Sequence, residues 1–417
     1  MSGQQYSLQC MVLAIELVLT ARVSFRAASR VLMLIGEGRV PVPSTIRSWV
    51  LRLGLGMLRQ DPPRAEDWVW LVDHSIQIGT RKCLVILGIR LSEYPWGRGL
   101  RHDDMTILDL TPMDSSTAVA VKDCLDSVVV RVGVPRAIIN DHGADIHGAV
   151  GLFRTQHPGV AELYDLKHKA ACVLKRLLTA DDRWTSFASQ AAKTKGLIQQ
   201  TEMAPLVPNS QRSKARFMNV EPLVSWGLKT LAWLDTADPQ THGMTPERVE
   251  KSLGWLREYR TDLVKWSQTM GTIAAVTAEV RDWGLTAGVG DDLEEVVPAC
   301  SGMAGEIRAE LIEFVTEQAK QANPGEKLPM STEVLESFFG KLKSLEQDQS
   351  KGGFSGLVLS LGALTGGRAP EEIGPVLEQT GWKKVMGWCK EKLGDTFQML
   401  RRRIYAPKKA QQKSDQQ

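Results

Sequence analysis

A run of apolar, β-favouring residues that ends in a carboxylate is the feature that most constrains this chain. The stretch Asp67–Gly79 reads DWVWLVDHSIQIG, and its apolar part ends at Asp73. Burying an ionised carboxylate at the end of a core strand is costly unless it is paired or binds a metal, so we interpret Asp73 as a site residue. The stretch RAIIND repeats the pattern and ends at Asp141, and the helical pattern STEVLESFFGKLK carries Glu336. Two aspartates and a glutamate, on two strands and a helix, are the kind of all-oxygen cluster that holds Mg²⁺ for phosphoryl chemistry on nucleic acid.

Length and composition indicate a globular protein with more than one domain. The chain has 417 residues, of which 43% are hydrophobic, so it can bury a full core. Its net charge of +3 is too small to indicate a nucleic-acid binder, and an argument for DNA must rest on local clusters. The six cysteines include no CxxC pair, so they suggest neither a zinc site nor a disulfide framework and fit a reducing cytosol.

No segment of the sequence predicts targeting or a membrane span. The apolar run Met11–Leu19 is interrupted by Glu16, lacks a basic leader and is too short to cross a bilayer. We therefore expect no membrane partner.

The first sixty residues have the outline of a helix-turn-helix. Residues 7–58 contain three helical patterns, and Ser24 and Ser44 are plausible N-caps for the second and third. The third pattern carries Arg47 and Arg52, which in a DNA-reading helix would reach base edges or phosphates in the major groove. The alternative is a small three-helix packing module with solvated arginines.

From Asp67 the hydrophobic period changes from helical to strand-like. The sequence predicts three strands, WVWLVD, KCLVILGI and MTILDL, followed by a helix at Asp114–Val132 that is capped by Asp114 or Ser115. A strand, RAIIND, and a helix at His147–Gln156 come next, and then a strand, VAELYD, and a helix at Lys167–Leu178. This order describes the RNase H-like α/β fold, in which the first and fourth strands are neighbours. Asp73 and Asp141 would then meet.

Between about Asp181 and Gly325 the strand signal disappears, which predicts an all-helical insertion with mostly core tryptophans. A basic cluster near the end of the sequence either touches phosphate or forms a solvated tail, and it consists of Arg401, Arg402, Arg403, Lys408 and Lys409. The predicted segments are a DNA-binding helix-turn-helix at 1–60, the first part of the core at 64–180, the insertion at 181–325, the final glutamate helix at 326–352 and a helical C-terminal region at 353–417.

With these residues in view, the chain resembles the DDE transposases, RNase H-like enzymes that cut and rejoin DNA at mobile-element ends. WLVDHSIQIG, IINDHGADI and STEVLESFFGKLK are similar to the family's three acidic segments. Asp73 and Asp141 are 68 residues apart (141 − 73), and Asp141 and Glu336 are 195 apart (336 − 141). The long second interval is similar to that of members with a domain inserted before the last acid.

Two neighbouring acids compete with the preferred ones. Glu333 lies three residues before Glu336, and we favour Glu336 because many family members carry a basic residue two helical turns after the glutamate, which here is Lys343. Asp145 competes with Asp141, and we favour Asp141 because it directly follows the apolar strand.

Weaker candidates surround these acids. Lys167, His168 and Lys169 begin a helix whose N-terminus would receive a phosphate, unless they form only a solvent-facing first turn. Asp165 is either a supporting acid or the N-cap of that helix. His74 and His142 each follow an acid and would touch the scissile phosphate or lie outside the site.

The resemblance implies phosphoryl transfer that depends on two divalent metal ions, Mg²⁺ or Mn²⁺. These ions would be held by Asp73, Asp141 and Glu336. It implies DNA as the partner, namely terminal repeats and target, with a homodimer or higher oligomer on that DNA. For a bacterial host it implies a cytoplasmic, nucleoid-associated location. The rivals are a catalytically silent or domesticated DNA-binding protein and an RNase H-like nuclease without joining activity.

Overall fold

The structure is a computed structural model that describes residues 5–35, 39–78, 81–210, 220–347, 355–367, 369–395 and 397–406. It divides into two compact units, one formed by residues 1–163 with 332–417 and the other by residues 164–331. None of the helices in these described ranges combines the length and the apolar character that crossing a membrane requires.

The first unit is a mixed sheet with helices. Its strands are β1 (Trp68–Ile78), β2 (Arg81–Arg90), β3 (Thr106–Met113), β4 (Ala137–Asn140) and β5 (Ala161–Tyr164). Its helices are α1 (Leu8–Leu19), α2 (Phe25–Ile35), α3 (Pro43–Leu58), α4 (Ala118–Val132), α5 (Ala144–Gln156), α13 (Glu333–Gln347), α14 (Ser360–Leu364), α15 (Pro370–Gln379), α16 (Trp382–Trp388) and α17 (Phe397–Ile404).

The sheet has the order β3-β2-β1-β4-β5. The strands β1 and β2 are antiparallel, as are β2 and β3, whereas β1 and β4 are parallel. The prediction of an RNase H-like α/β core is confirmed by this order, because the first strand lies between the second and the fourth.

Helices cover the sheet on both faces. One face packs against α4 and α5 in a core that includes Trp70, Ile86, Leu125 and Phe153. Successive side chains of a strand point to opposite faces, so Leu71 points away from the face that carries Trp70. Leu71 is also fully buried, which shows that the second face is covered as well. Helices α3 and α14 contact β3, and α13 contacts β1, so they supply further cover for the strands.

Local signals explain where α4 begins and ends. Thr117 is its N-cap and accepts a hydrogen bond from the backbone N–H of Ala120 at 3.2 Å, so the prediction of Asp114 or Ser115 as the cap was wrong. The helix ends at Gly133, whose φ of +94° favours glycine and whose added Cβ would lie 2.8 Å from the carbonyl oxygen of Ala65.

The three predicted N-terminal helices are present as α1 to α3. Ser24 caps α2 as predicted, because its hydroxyl accepts from the backbone N–H of Ala27 at 3.1 Å. The cap predicted for α3 was wrong, since that helix starts one residue before Ser44, with Val42 at the N-cap and Pro43 in its first turn.

The second unit is helical apart from a single bridge between Leu285 and Leu328 among its described residues. Its helices are α6 (Leu166–Thr179), α7 (Asp182–Ile198), α8 (Glu221–Thr236), α9 (Pro246–Leu253), α10 (Arg260–Trp283), α11 (Val289–Val296) and α12 (Gly302–Ala319). The predicted helical insertion is therefore confirmed as part of the fold.

Aromatic packing forms the core of this second unit. Trp184 and Trp266 are buried and meet edge to face, with ring centroids 5.0 Å apart. The indole N–H of Trp266 donates to Asp181 Oδ2 at 3.0 Å, and Asp181 also caps α7. Trp283 is 53% exposed, so the tryptophans are mostly but not entirely core residues.

Candidate active site

The register of β1 against β4 brings the two predicted aspartates to one place. Val69 is paired with Ala137 and Leu71 with Ile139, so each residue of β1 faces the residue 68 positions later (137 − 69). Continued by two residues along these parallel strands, the same register would set Asp73 beside Asp141. Both side chains are half-buried.

Backbone N–H groups orient both carboxylates. Asp73 Oδ1 accepts from the N–H of His74 at 2.6 Å, and Asp141 Oδ1 accepts from the N–H of Gly143 at 2.9 Å. The second contact is the i to i+2 bond of an Asx turn, and His142 between its partners has a φ of +55°. The chain therefore turns sharply immediately after Asp141.

A charged network adjoins these aspartates. Asp145 Oδ2 accepts from Lys82 Nζ at 2.7 Å and lies 3.0 Å from His74 Nε2, and the hydroxyl of Ser116 is 3.1 Å from the same nitrogen. A carboxylate can only accept, so the neutral His74 ring carries its proton on Nε2. Burial lowers the pKa of His74 and outweighs the opposing charges of Asp145 and Asp141.

The same network holds Asp145 ionised. Burial raises the pKa of Asp145, but hydrogen bonds from Lys82 and Ser116 and the neighbouring charges lower it more, so the pKa lies well below its usual range. Asp145, the competitor of Asp141, therefore already has a lysine as counter-ion.

A second carboxylate, Glu162 of β5, lies beneath the turn. Glu162 is 7% exposed, and its Oε1 accepts from Asn140 Nδ2 at 3.2 Å. Asn140 Oδ1 in turn accepts from the backbone N–H of His142 at 2.7 Å. His147 Nδ1 is 2.8 Å from Glu162 Oε1, so Glu162 joins the turn to α5.

Sequence reasoning did not find Lys82, Ser116, Asn140 or Glu162. Lys82 opens β2 and Ser116 precedes α4, so only the folded sheet brings them to Asp145. The charged residue inside the apolar stretch VAELYD was a usable signal for Glu162, because a charge in a short core strand requires partners.

The predicted third acid is on α13, in the same unit as the sheet and on a helix that contacts β1. Both glutamates lie in the first turn of α13, where Glu336 is exposed and Glu333 is half-buried. Lys343, two turns farther on, is exposed.

The two arginines of α3 for which the sequence predicts DNA contacts, Arg47 and Arg52, are half-buried rather than exposed. Nine of the sixteen residues of α3 are buried, and α14, α15 and α16 contact this helix. Arg52 donates from Nε to the carbonyl of Thr380 at 2.7 Å and also to the carbonyl of Leu377, and burial lowers its pKa. Burial likewise lowers the pKa of Arg47.

The start of α6, where the sequence predicts a phosphate site, has its own carboxylate cap. Asp165 is the N-cap, 3% exposed, and its Oδ1 accepts from the backbone N–H of His168 at 2.6 Å. Lys169 Nζ lies 3.0 Å from Glu310 Oε1. A carboxylate of the chain itself therefore lies at this helix terminus, and contacts of Lys167, His168 and Lys169 with phosphate stay a prediction. In the C-terminal cluster, Arg403 pairs with Asp395, whereas Lys408 and Lys409 lie outside the described residues.

Comparisons with known proteins found similarity to solved structures. No protein-family model matches the chain, and no curated protein matches it. Among solved structures the chain is similar to one titled "Drosophila P element transposase strand transfer complex", with 10% sequence identity and a TM-score of 0.39, over 86% of this chain and 91% of that chain. The fold assignment rests on the sheet order, not on this likeness.

Proposed function

We propose that this chain is a DDE-type polynucleotidyl transferase that cuts and joins the ends of a mobile DNA element. The observation that carries the proposal is the parallel register of β1 and β4, which directs Asp73 and Asp141 to neighbouring strand ends. Helix α13, with Glu333 and Glu336 in its first turn, contacts β1 of the same sheet.

The donor chemistry of this place suits a hard divalent cation. Carboxylate oxygens are the ligands that Mg²⁺ and Mn²⁺ prefer, and Asp73, Asp141 and Glu336 would hold the ion or ions. When bound, such a metal neutralises charge on the transferring phosphoryl group and on the leaving oxygen. Asp145 is not proposed as a metal ligand, because Lys82 already balances its charge.

The surrounding residues position the two aspartates. The N–H groups of His74 and Gly143 fix one oxygen of each carboxylate, which limits the rotamers that the side chains can adopt. The proposed partner is double-stranded DNA, with an oligomer of the chain on that DNA. Lys343 is proposed as a phosphate contact because it is exposed on the helix of the third acid.

The test uses the purified full chain with DNA that carries the sequences flanking the gene. Asp73→Asn and Asp141→Asn should each lower Mg²⁺- or Mn²⁺-dependent cleavage by on the order of a thousandfold or more, since a metal contributes several kcal/mol to the transition state. DNA affinity should remain. Asp103→Asn is the matched control, because Asp103 is an exposed aspartate on a short turn.

The products separate the proposal from its rivals. Cleavage without joining would identify a nuclease, and DNA binding without cleavage by the wild-type chain would identify a DNA-binding protein. Cleavage by Asp141→Asn at the wild-type rate would refute the assignment of the site.

A further inference from the structure

Two histidines and a glutamate converge where β4 and β5 meet α5. His142 follows β4, His147 lies in α5 and Glu162 lies in β5. One donor atom from each, two imidazole nitrogens and a carboxylate oxygen, lies within 4.8 Å of the other two. We propose that His142, His147 and Glu162 form a binding site for a divalent transition-metal ion of the Zn²⁺ class, with donors different from the carboxylates of Asp73 and Asp141.

The spacing of the donors is close to that of a zinc site. Zinc binds imidazole nitrogen and carboxylate oxygen at about 2.0–2.2 Å, so neighbouring donors in a tetrahedron lie about 3.3 Å apart. Glu162 Oε1 is 2.8 Å from His147 Nδ1 and 3.6 Å from His142 Nε2. Small side-chain movements therefore suffice to place an ion among these atoms.

The donor set selects a class of metal. Imidazole suits zinc, copper, iron and nickel, whereas magnesium prefers oxygen ligands and retains water. Two imidazoles with one carboxylate thus favour a transition metal even when Mg²⁺ is abundant. The site and the proposed catalytic carboxylates should accordingly bind different ions.

The backbone arranges the two histidines before any ion arrives. His142 has a φ of +55°, a conformation that non-glycine residues adopt at a cost, and its ring stacks on that of His147 with centroids 4.4 Å apart. The stacked rings each place one nitrogen near the same oxygen, Glu162 Oε1.

The partners of Glu162 fit the role of a metal ligand. Its side chain is only 6% exposed, and Asn140 donates to it at 3.2 Å, as an outer partner that orients a ligating carboxylate does. Arg154 lies 3.9 Å from the other oxygen, Oε2, so it does not contact the oxygen that faces the histidines. The His147 side chain is 54% exposed, which gives an ion a path from solvent.

The experiment measures Zn²⁺ binding to the metal-free full chain by calorimetry, with Mg²⁺ in excess. The wild type should bind one tight equivalent, and Co²⁺ in its place should give the absorption bands of nitrogen-ligated cobalt. His147→Ala and Glu162→Gln should each weaken Zn²⁺ binding at least about 100-fold, since even outer partners of a metal site contribute 10–100-fold. His242→Ala is the control, because His242 is an exposed histidine of the other unit.

The exposed position of His147 keeps the test valid if Glu162→Gln fails to fold. Wild-type binding no tighter than that of His147→Ala would overturn the proposal, as would a loss of tight Zn²⁺ binding in Asp73→Asn. Neither result measures DNA cleavage, because the readout is metal affinity alone, so the cleavage assay tests the proposed function separately.

Discussion

Lys82 Nζ lies 2.7 Å from Asp145 Oδ2, which joins the first residues of β2 to the first turn of α5. The Asp145 side chain is 15% exposed and the Lys82 side chain 27%, so solvent screens this pair only in part. The pair leads to a prediction about pH.

The contribution of Asp145 to stability should disappear in acid. Its pKa in the folded chain lies below the value of about 3.9 for an unfolded aspartate, so the ionised form stabilises the fold. That contribution is complete above the unfolded pKa and is lost as pH falls toward the folded pKa. Asp145→Asn should lower the free energy of unfolding by about 1.5–3 kcal/mol at neutral pH.

Urea unfolding of both proteins over a range of pH provides the measurement. The difference in the free energy of unfolding between the wild type and Asp145→Asn should become smaller below about pH 4. The exposed Asp103→Asn should follow the wild type throughout. A difference that stays constant down to the lowest pH would contradict the charge-based explanation.

Arg52 should act on stability through α15. Thr380 is the C-cap of α15 and Leu377 lies in its last turn, so Arg52 satisfies two carbonyls that have no partner within the helix. Arg52→Met keeps the aliphatic stem and should lower the free energy of unfolding by about 1.5–3 kcal/mol. Arg59→Met, at an exposed position just after α3, should change it by less than about 0.5 kcal/mol. Equal effects of the two changes would exclude a capping role.

The crossing of α3 and α14 should not tolerate a methyl group. A Cβ added to Gly54 would lie 1.7 Å from the carbonyl oxygen of Leu359 and 3.3 Å from the backbone nitrogen of Ala363. Gly54→Ala should therefore lower the free energy of unfolding by about 1–3 kcal/mol or more. Gly151 in α5 has no atom within 4 Å of its added Cβ, so Gly151→Ala should raise stability by about 0.5–1 kcal/mol. Thermal unfolding should show a lower stability than the wild type for Gly54→Ala and a higher stability for Gly151→Ala.

The two glutamates of α13 should differ in their effect on DNA cleavage. Glu336→Gln should abolish metal-dependent cleavage, whereas Glu333→Gln should be mild, because Glu336 is exposed and precedes Lys343 by two helical turns. Single-turnover cleavage rates measure the difference, and circular dichroism verifies folding. The reverse result would move the role to Glu333, and equal, wild-type rates would remove α13 from the site.

The elements of this fold were predictable because each has its own local signal. Short apolar runs rich in β-branched and aliphatic residues predicted the strands, and the order of strands and helices, which is that of the RNase H-like fold, predicted that the first and fourth strands are neighbours. The partners of Asp145 and Glu162 were not predictable, because Lys82 and Asn140 meet them only across the sheet. The half-buried position of the α3 arginines was not predicted, although the LGLGML segment that follows Arg52 is apolar without a polar face, as a helix covered on several sides requires.

The cover of α3 also decides when this protein can finish folding during its synthesis. Helix α3 is complete after 58 residues, but α15, whose carbonyls Arg52 binds, ends at Gln379. At 5–20 residues per second, the ribosome needs roughly 15–60 s between these two points. During that interval α3 of the nascent chain has α1 and α2 beside it but lacks the cover of α14 and α15, so part of its apolar surface stays exposed, which favours aggregation.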